Sequence, residues 1–256
     1  MVTICRNARA TIERTVGSVL SQEGPTFEYL VIDGGSTDGT LELLRPWADR
    51  LAHLVSEPDG GISDAFNKGL QRCRGEWVGT VNADDWYEPG ALARIAALPE
   101  DVEIACGSMR YWAGERAVSV FGADPRRLRR EMTINHQATF VRRRVYERLG
   151  LFRPDFKYAM DYELFLRFSV GGARFAAFDG VLANMRYEGI SHRRWVRAYG
   201  EVRRAKRLHG QGALGAWGAW AVHLLRGGLR LFLEGLGLGA LVALYRRRFS
   251  VVRKRA

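Results

Sequence analysis

"FEYLVIDGGSTDGTLELL", residues 27–44, carries an apolar strand pattern into a carboxylate, Asp33, then two glycines and a polar turn, and resumes with helical spacing at Thr40. An acid at the end of a strand, followed by Gly34 and Gly35, marks a place where the backbone turns tightly and leaves room beside a charged group. The same alternation extends outward in both directions. Upstream, "VTIC" reads as a strand, and "ATIERTVGSVLSQ" places Ile12, Val16 and Val19/Leu20 on one helical face. Downstream, "TLELLRPWADRL" reads as a helix, "AHLVSE" as a strand, "SDAFNKGLQRC" as a helix and "EWVGTVN" as a strand. Strand, helix, strand, helix implies an α/β fold built on a mainly parallel sheet flanked by helices.

Open sheets of this kind bind ligands beyond the carboxyl ends of their strands. The unusual polar residues fall there: Asp33 after the second strand, "EPDGG" (Glu57–Gly61) after the third and "NADD" (Asn82–Asp85) after the fourth. Three acidic strand ends make one acidic pocket. A phosphorylated ligand held with Mg2+ or Mn2+ fits it, because carboxylates alone repel phosphate whereas a hard cation bridges both. A pocket for a neutral ligand is the competing reading.

The chain has 256 residues, 47% of them hydrophobic, with 7 prolines, enough for a packed core and an appendage. Cys5, Cys73 and Cys106 lie far apart in apolar contexts and read as reduced thiols of a cytosolic protein. "MVTICRN" lacks a charged region leading into a long apolar stretch, so no targeting segment is read there, and the strand it opens is expected to begin upstream. The net charge is +11, but residues 192–256 hold 15 Lys and Arg against two acids, a net +13, leaving 24 basic and 26 acidic residues elsewhere, a net −2. A near-neutral body with a basic, apolar tail points to an anionic membrane surface and away from nucleic acid.

The stretches "VTICRNARATIERTVGSVLSQ", "FEYLVIDGGSTDGT", "SEPDGGISDAFNKGL", "GEWVGTVNADDWYEPGAL" and "NHQATFVRRRVYERLGLFRPDFKYAMDYELFLR" together resemble the family 2 glycosyltransferases, inverting enzymes of the GT-A fold used in bacterial surface-polysaccharide assembly. They span roughly residues 2 to 170 in the family's order, a far more specific signal than any one motif. The resemblance implies a nucleotide-diphosphate-sugar donor, a divalent cation and an acceptor hydroxyl on a glycan or polyprenyl-linked lipid.

The resemblance makes Asp33 a reader of the donor's base, with Gly34 and Gly35 letting the backbone pass close to the nucleotide. A plain turn, with Ser36, Thr37 or Asp38 capping the next helix, accounts for the same residues. Asp64 and Asn67 are implied contacts to base or ribose and Lys68 a contact to phosphate, although Ser63 or Asp64 also suits a helix cap. Where the family usually shows Asp-x-Asp, this chain has Asn82. The metal is therefore assigned to Asp84, with Asp85 a second contact and Asn82 on the ribose. The family's general base falls on Asp161 alone, because Met160 stands where relatives often carry Glu. Glu163 is read as a first-turn acid favoured by the helix dipole. His136 and Gln137 fall beside the acceptor cleft or act as satisfied polar contacts. His192 falls where a lid would close.

The division expected is a GT-A domain over residues 1–207 and a helical tail over 208–256. From Gly212 to Tyr245 the only ionisable groups apart from Tyr245 itself are His223, Arg226, Arg230 and Glu234, which share one helical stripe. The uncharged runs beside them fall short of the ~20 residues of a spanning helix. An interfacial or re-entrant helix on the inner face of the cytoplasmic membrane is expected ahead of a true span, with a packing or dimer helix as the further alternative. Other activities fit poorly: "CRNARAT" after the first strand is neither the G-x-G-x-x-G of a dinucleotide oxidoreductase nor the Gly-rich, basic loop of a sugar nucleotidyltransferase. A non-catalytic nucleotide-sugar binder or membrane adaptor is disfavoured by the presence of both Asp84 and Asp161.

Overall fold

A computed structural model describes residues 1–186 and 195–212, and beyond them residues 215, 217, 218, 220–222, 225, 227–229 and 233. The alternation read from the sequence appears as β1 (Val2–Cys5), α1 (Ile12–Leu20), β2 (Leu30–Asp33), α2 (Thr40–Leu44), β3 (His53–Ser56), α3 (Ile62–Leu70) and β4 (Trp77–Asn82). The helix expected over residues 40–51 is α-helical only to Leu44 and continues as a 3-10 turn over Arg45–Arg50, where Pro46 has no N–H to give to the preceding turn. There follow β5 (Trp86–Tyr87), α4 (Ala91–Ala96), β6 (Ile104–Ala113), β7 (Arg116–Phe121), β8 (Thr139–Arg142), α5 (Arg143–Leu149), α6 (Met160–Val170), β9 (Phe175–Arg186) and α7 (Trp195–Leu208).

The strands form one sheet in the order β3-β2-β1-β4-β8-β6-β9-β5, with β7 as a hairpin partner of β6. The first four run parallel; β8 lies antiparallel between β4 and β6, and β9 is parallel to β6. The sheet is therefore mixed, and the change of direction falls beside β4. Register aligns the strand ends: Cys5 lies opposite Asp33, Asp33 opposite Ser56, and Ile4 opposite Asn82.

Alternation along the strands sorts the core into two layers. Leu30 and Ile32 pack with Phe66 and Leu70 of α3, Tyr146 of α5 and Leu164, Phe165 and Phe168 of α6. Val31, one residue out of step, faces Ile12, Val16 and Val19 of α1 and Leu92 and Ile95 of α4. Burying both faces in this way is what allows parallel strands to read as unbroken apolar runs. The three cysteines are buried free thiols. Among the described residues, no helix is long and apolar enough to cross a membrane.

Candidate active site

Asp33 ends β2 fully buried. Its Oδ2 accepts the backbone N–H groups of Gly35 and Ser36 at 3.2 and 2.9 Å and the Ser56 hydroxyl at 2.6 Å; its Oδ1 accepts the Ser36 hydroxyl and the Cys5 thiol at 3.6 Å. Burial would raise its pKa, but the hydrogen bonds outweigh it and hold the carboxyl below the ordinary value. Asp33 thus knots the ends of β1, β2 and β3 together. Asp38 accepts the Thr40 N–H at 3.0 Å, but the N-cap of α2 is Gly39, without a side-chain cap.

The glycines behind Asp33 have separate jobs. Gly35 holds φ at +78°, which side-chain-bearing residues rarely adopt, and a Cβ on Gly34 would collide with the Asp59 carboxylate. Asp59, in the "EPDGG" loop, was given no individual role by the sequence, yet it is the acid that lies over the glycines. Its signal was the cluster itself, and only the fold shows which member crosses to β2. Its Oδ1 accepts Gly61 N–H at 2.9 Å, and Asp64 accepts Gly60 N–H at 2.9 Å. Lys68 holds the same loop, 2.9 Å from Glu57 Oε1 and donating to the Pro58 carbonyl at 2.8 Å. Lys68 thereby ties α3 to the loop.

Asn67 has a tertiary partner across the site. Its Nδ2 donates to the Phe152 carbonyl at 2.8 Å and its Oδ1 accepts Phe152 N–H at 2.9 Å, so the whole amide clips α3 to the segment leading into α6. One N–H and one lone pair of the amide remain beyond this pairing, and Asn67 is half-buried.

The loop after β4 separates its residues sharply. Thr15 of α1 directs its hydroxyl to the Ala83 and Asp85 carbonyls at 2.9 and 2.7 Å, fixing the loop. Asp84 is exposed, whereas Asp85 is buried. Asp85 Oδ2 accepts Gln137 Nε2 at 2.7 Å and Asn82 Nδ2 at 3.4 Å, while its Oδ1 has no hydrogen-bond partner among the described residues. Burial, then the neighbouring charge of Asp84, pushes its pKa well up. A divalent cation fits this pair: it would satisfy the orphaned oxygen and offset two adjacent carboxylates. The described residues contain no cluster of three or more His, Cys, Asp or Glu able to cage a metal unaided. That suits a cation shared with a ligand's phosphates, since Mg2+ is usually held by one or two carboxylates plus the substrate.

Gln137 thus acts on Asp85. His136 does not line an open cleft: it is 8% exposed, bonded to Thr80 Oγ1 at 2.7 Å and packed edge-on against Phe66 and Phe152. Burial lowers its pKa to about 4, so it is a neutral core imidazole.

Asp161 lies in the first turn of α6, half-buried, its Oδ1 accepting Tyr162 N–H at 2.7 Å. Burial raises its pKa above the usual carboxylate value, which makes it a stronger base. The Asn67 clip and the Ser63 hydroxyl, 3.3 Å from the Phe156 carbonyl, hold its approach segment against α3 beside the "EPDGG" loop. Glu163 is an acid of the first turn of α6, the position the dipole reading gave it. It is fully buried, paired with Arg167 at 3.0 Å and with His209 Nε2 at 2.8 Å. His192 lies outside the described residues, as do His223, Arg226, Arg230 and Glu234 of the tail.

A mixed sheet with carboxylates gathered at its parallel strand ends and a basic carboxylate on a later helix defines the GT-A class of glycosyltransferases. The sequence pattern described as "Glycosyl transferase family 2" matches residues 1–157, more than half the chain, and the protein belongs to that family. It is 31% identical over 174 residues to a PGL/p-HBAD biosynthesis glycosyltransferase of Mycobacterium tuberculosis, covering 63% of this chain and 65% of that one. The chain thus spans just under two thirds of that relative's length. Among solved structures, Staphylococcus aureus TarS 1–349 in complex with UDP-GlcNAc superposes with a TM-score of 0.67 at 19% identity, over 87% of this chain and 70% of that one. The mannosyltransferase PcManGT of Pyrobaculum calidifontis in complex with GDP-Man and Mn2+ gives 0.63 at 21% identity, over 96% and 80%. These two likenesses establish the fold.

Proposed function

We propose that the protein is an inverting, metal-dependent glycosyltransferase that moves a sugar from a nucleotide-diphosphate donor to a hydroxyl of a glycan or polyprenyl-linked acceptor at an anionic membrane surface. The observation that carries this reading is Asp161, a half-buried carboxylate of raised pKa at the opening of a helix stapled beside the strand-end acids. Asp161 accepts the acceptor hydroxyl's proton as that oxygen forms its bond to the anomeric carbon. The bond to the diphosphate breaks on the opposite face, and the nucleoside diphosphate leaves with the electron pair.

Asp84 and Asp85 would hold the divalent cation, which when bound supplies charge neutralisation for the diphosphate. Gln137 holds Asp85 through its Oδ2. Asp59 and Asp64 face the donor's base and ribose, with Asn82 near the ribose, and Asp33 supports them from beneath by fixing the strand ends. The tail keeps the site close to a lipid-linked acceptor, in line with the exposed Trp217, Val222, Leu225 and Leu229.

The test is Asp161→Asn, which preserves shape but cannot take the proton. Nucleoside diphosphate release from UDP-GlcNAc or GDP-mannose with Mn2+ should fall about a hundredfold or more while donor affinity persists. Near-normal release by the variant would assign the base elsewhere.

A further inference from the structure

Helix α6 begins without a side-chain cap: its N-cap position is Ala159, which offers no acceptor to the N–H groups of the turn. The three backbone N–H groups that lead into it converge on one carboxylate from far along the chain. Glu201 of α7 accepts Lys157 N–H at 3.0 Å on both oxygens, Tyr158 N–H at 2.7 Å and Ala159 N–H at 2.8 Å. Three successive N–H groups form a concave anion cradle, and bonds to an ionised acceptor are about twice as strong as neutral ones. The carboxylate is presented from a fixed support. Ala205 of the same helix is in the core, Lys206 Nζ donates to the Arg130 carbonyl at 2.6 Å, and His209 pairs with Glu163 of α6.

We infer that Glu201 is a positioning residue: by holding the backbone of residues 157–159 from α7, it fixes the direction in which Asp161, two residues further on, meets the acceptor hydroxyl. The inference rests on Asp161 being the base. Glu201 also acts through its charge, which adds to burial in raising the Asp161 pKa and is the charge that bears on Asp161 among the described residues. Alignment of this sort is costly to lose, since a misplacement of about 1 Å is worth roughly a hundredfold in rate. It follows that the chemistry depends on a helix lying outside residues 1–157, the part matched by the family pattern.

The experiment compares full-length wild type, Glu201→Gln, Glu201→Ala and Asp161→Asn by amide hydrogen exchange and by nucleoside diphosphate release from UDP-GlcNAc and GDP-mannose with Mn2+. In Glu201→Ala, exchange should quicken at residues 157–161 and not in β1–β4, and kcat should fall about tenfold or more with donor KM unchanged. Glu201→Gln keeps one acceptor oxygen and should fall between. In Glu201→Gln the acid limb of the kcat profile should also move to lower pH, because removing a negative neighbour lowers the pKa of Asp161; a merely structural residue would not move it. Unchanged exchange at 157–161 overturns the inference, whether or not either donor is turned over. So does wild-type kcat in Glu201→Ala. If Asp161→Asn turns over at the wild-type rate, the base assignment falls and takes the catalytic part of this inference with it, whereas loss in both variants supports both.

Discussion

Asp84 and Asp85 are neighbours in sequence with opposite surroundings, and the difference sets what each substitution should do. Asp84 is exposed, so Asp84→Ala should leave the fold intact and abolish the Mn2+-dependent part of donor binding. Calorimetry with UDP-GlcNAc or GDP-mannose, with and without EDTA, checks this; equal affinity in both conditions would refute the metal assignment. His136 gives a pH prediction. Its folded pKa of about 4 lies below the 6.5 of an exposed imidazole, so between those values the unfolded chain holds a proton that the folded chain does not. The stability this contributes is present above pH 6.5 and is lost as pH falls toward 4, about 3 kcal/mol in all. His136→Gln should narrow the difference between urea midpoints at pH 7 and pH 4.5. At this scale the sequence showed which residue types gather at the strand ends, but not which side chains are already satisfied. Glu163 has the right chemistry for substrate contact, and only its three-dimensional partners, Arg167 and His209, show that it is spent inside the protein, while Asn67 gives part of its amide to Phe152.

Elements were legible where periodicity was strong. The β1–β4 alternation and helices α1 and α3 follow from apolar spacing, because both faces of the sheet must be covered. The second half resisted the same reading. β6, β8 and β9 pair across long sequence separations and in mixed directions, and no local pattern encodes which strand lies beside which. The docking of α7 on α6 was equally hidden, since no local pattern ties Glu201 or His209 to residues of α6. The buried Glu163 anchors this junction, taking Arg167 and His209 together, while Arg167 also donates to the Leu149 and Leu151 carbonyls. Glu163→Ala would strand the Arg167 guanidinium in a site built for an ion pair and should cost about 3 kcal/mol of stability. Urea unfolding measures it, and a loss below about 1 kcal/mol would mean that the pair is effectively solvent-screened.

For the molecule as a whole, the uneven charge is the property most plainly read from the sequence. The body is near neutral, whereas residues 192–256 carry a net +13. The tail's described residues beyond 212 are helical and include exposed Trp217, Leu225 and Leu229, with Arg203 stacked 3.9 Å over the Trp217 ring. Apolar burial and lipid charge would then act together, each Lys or Arg near an anionic surface contributing about 1 kcal/mol. The structure also changes where the tail should be cut. A break after residue 207 would remove His209, which pairs with Glu163, whereas a chain of residues 1–212 keeps that contact and all of α7. Residues 1–212 should therefore bind donor as the full chain does yet fail to sediment with vesicles, while residues 1–207 should be less stable. Full-length protein should sediment with phosphatidylglycerol vesicles, less with phosphatidylcholine, and less again in high salt, because the attraction is screened within a Debye length of about 8 Å at physiological ionic strength. A full chain that stays in the supernatant with anionic vesicles would make the tail a packing or oligomer element, and sedimentation that survives high salt and alkaline carbonate would make it an integral anchor.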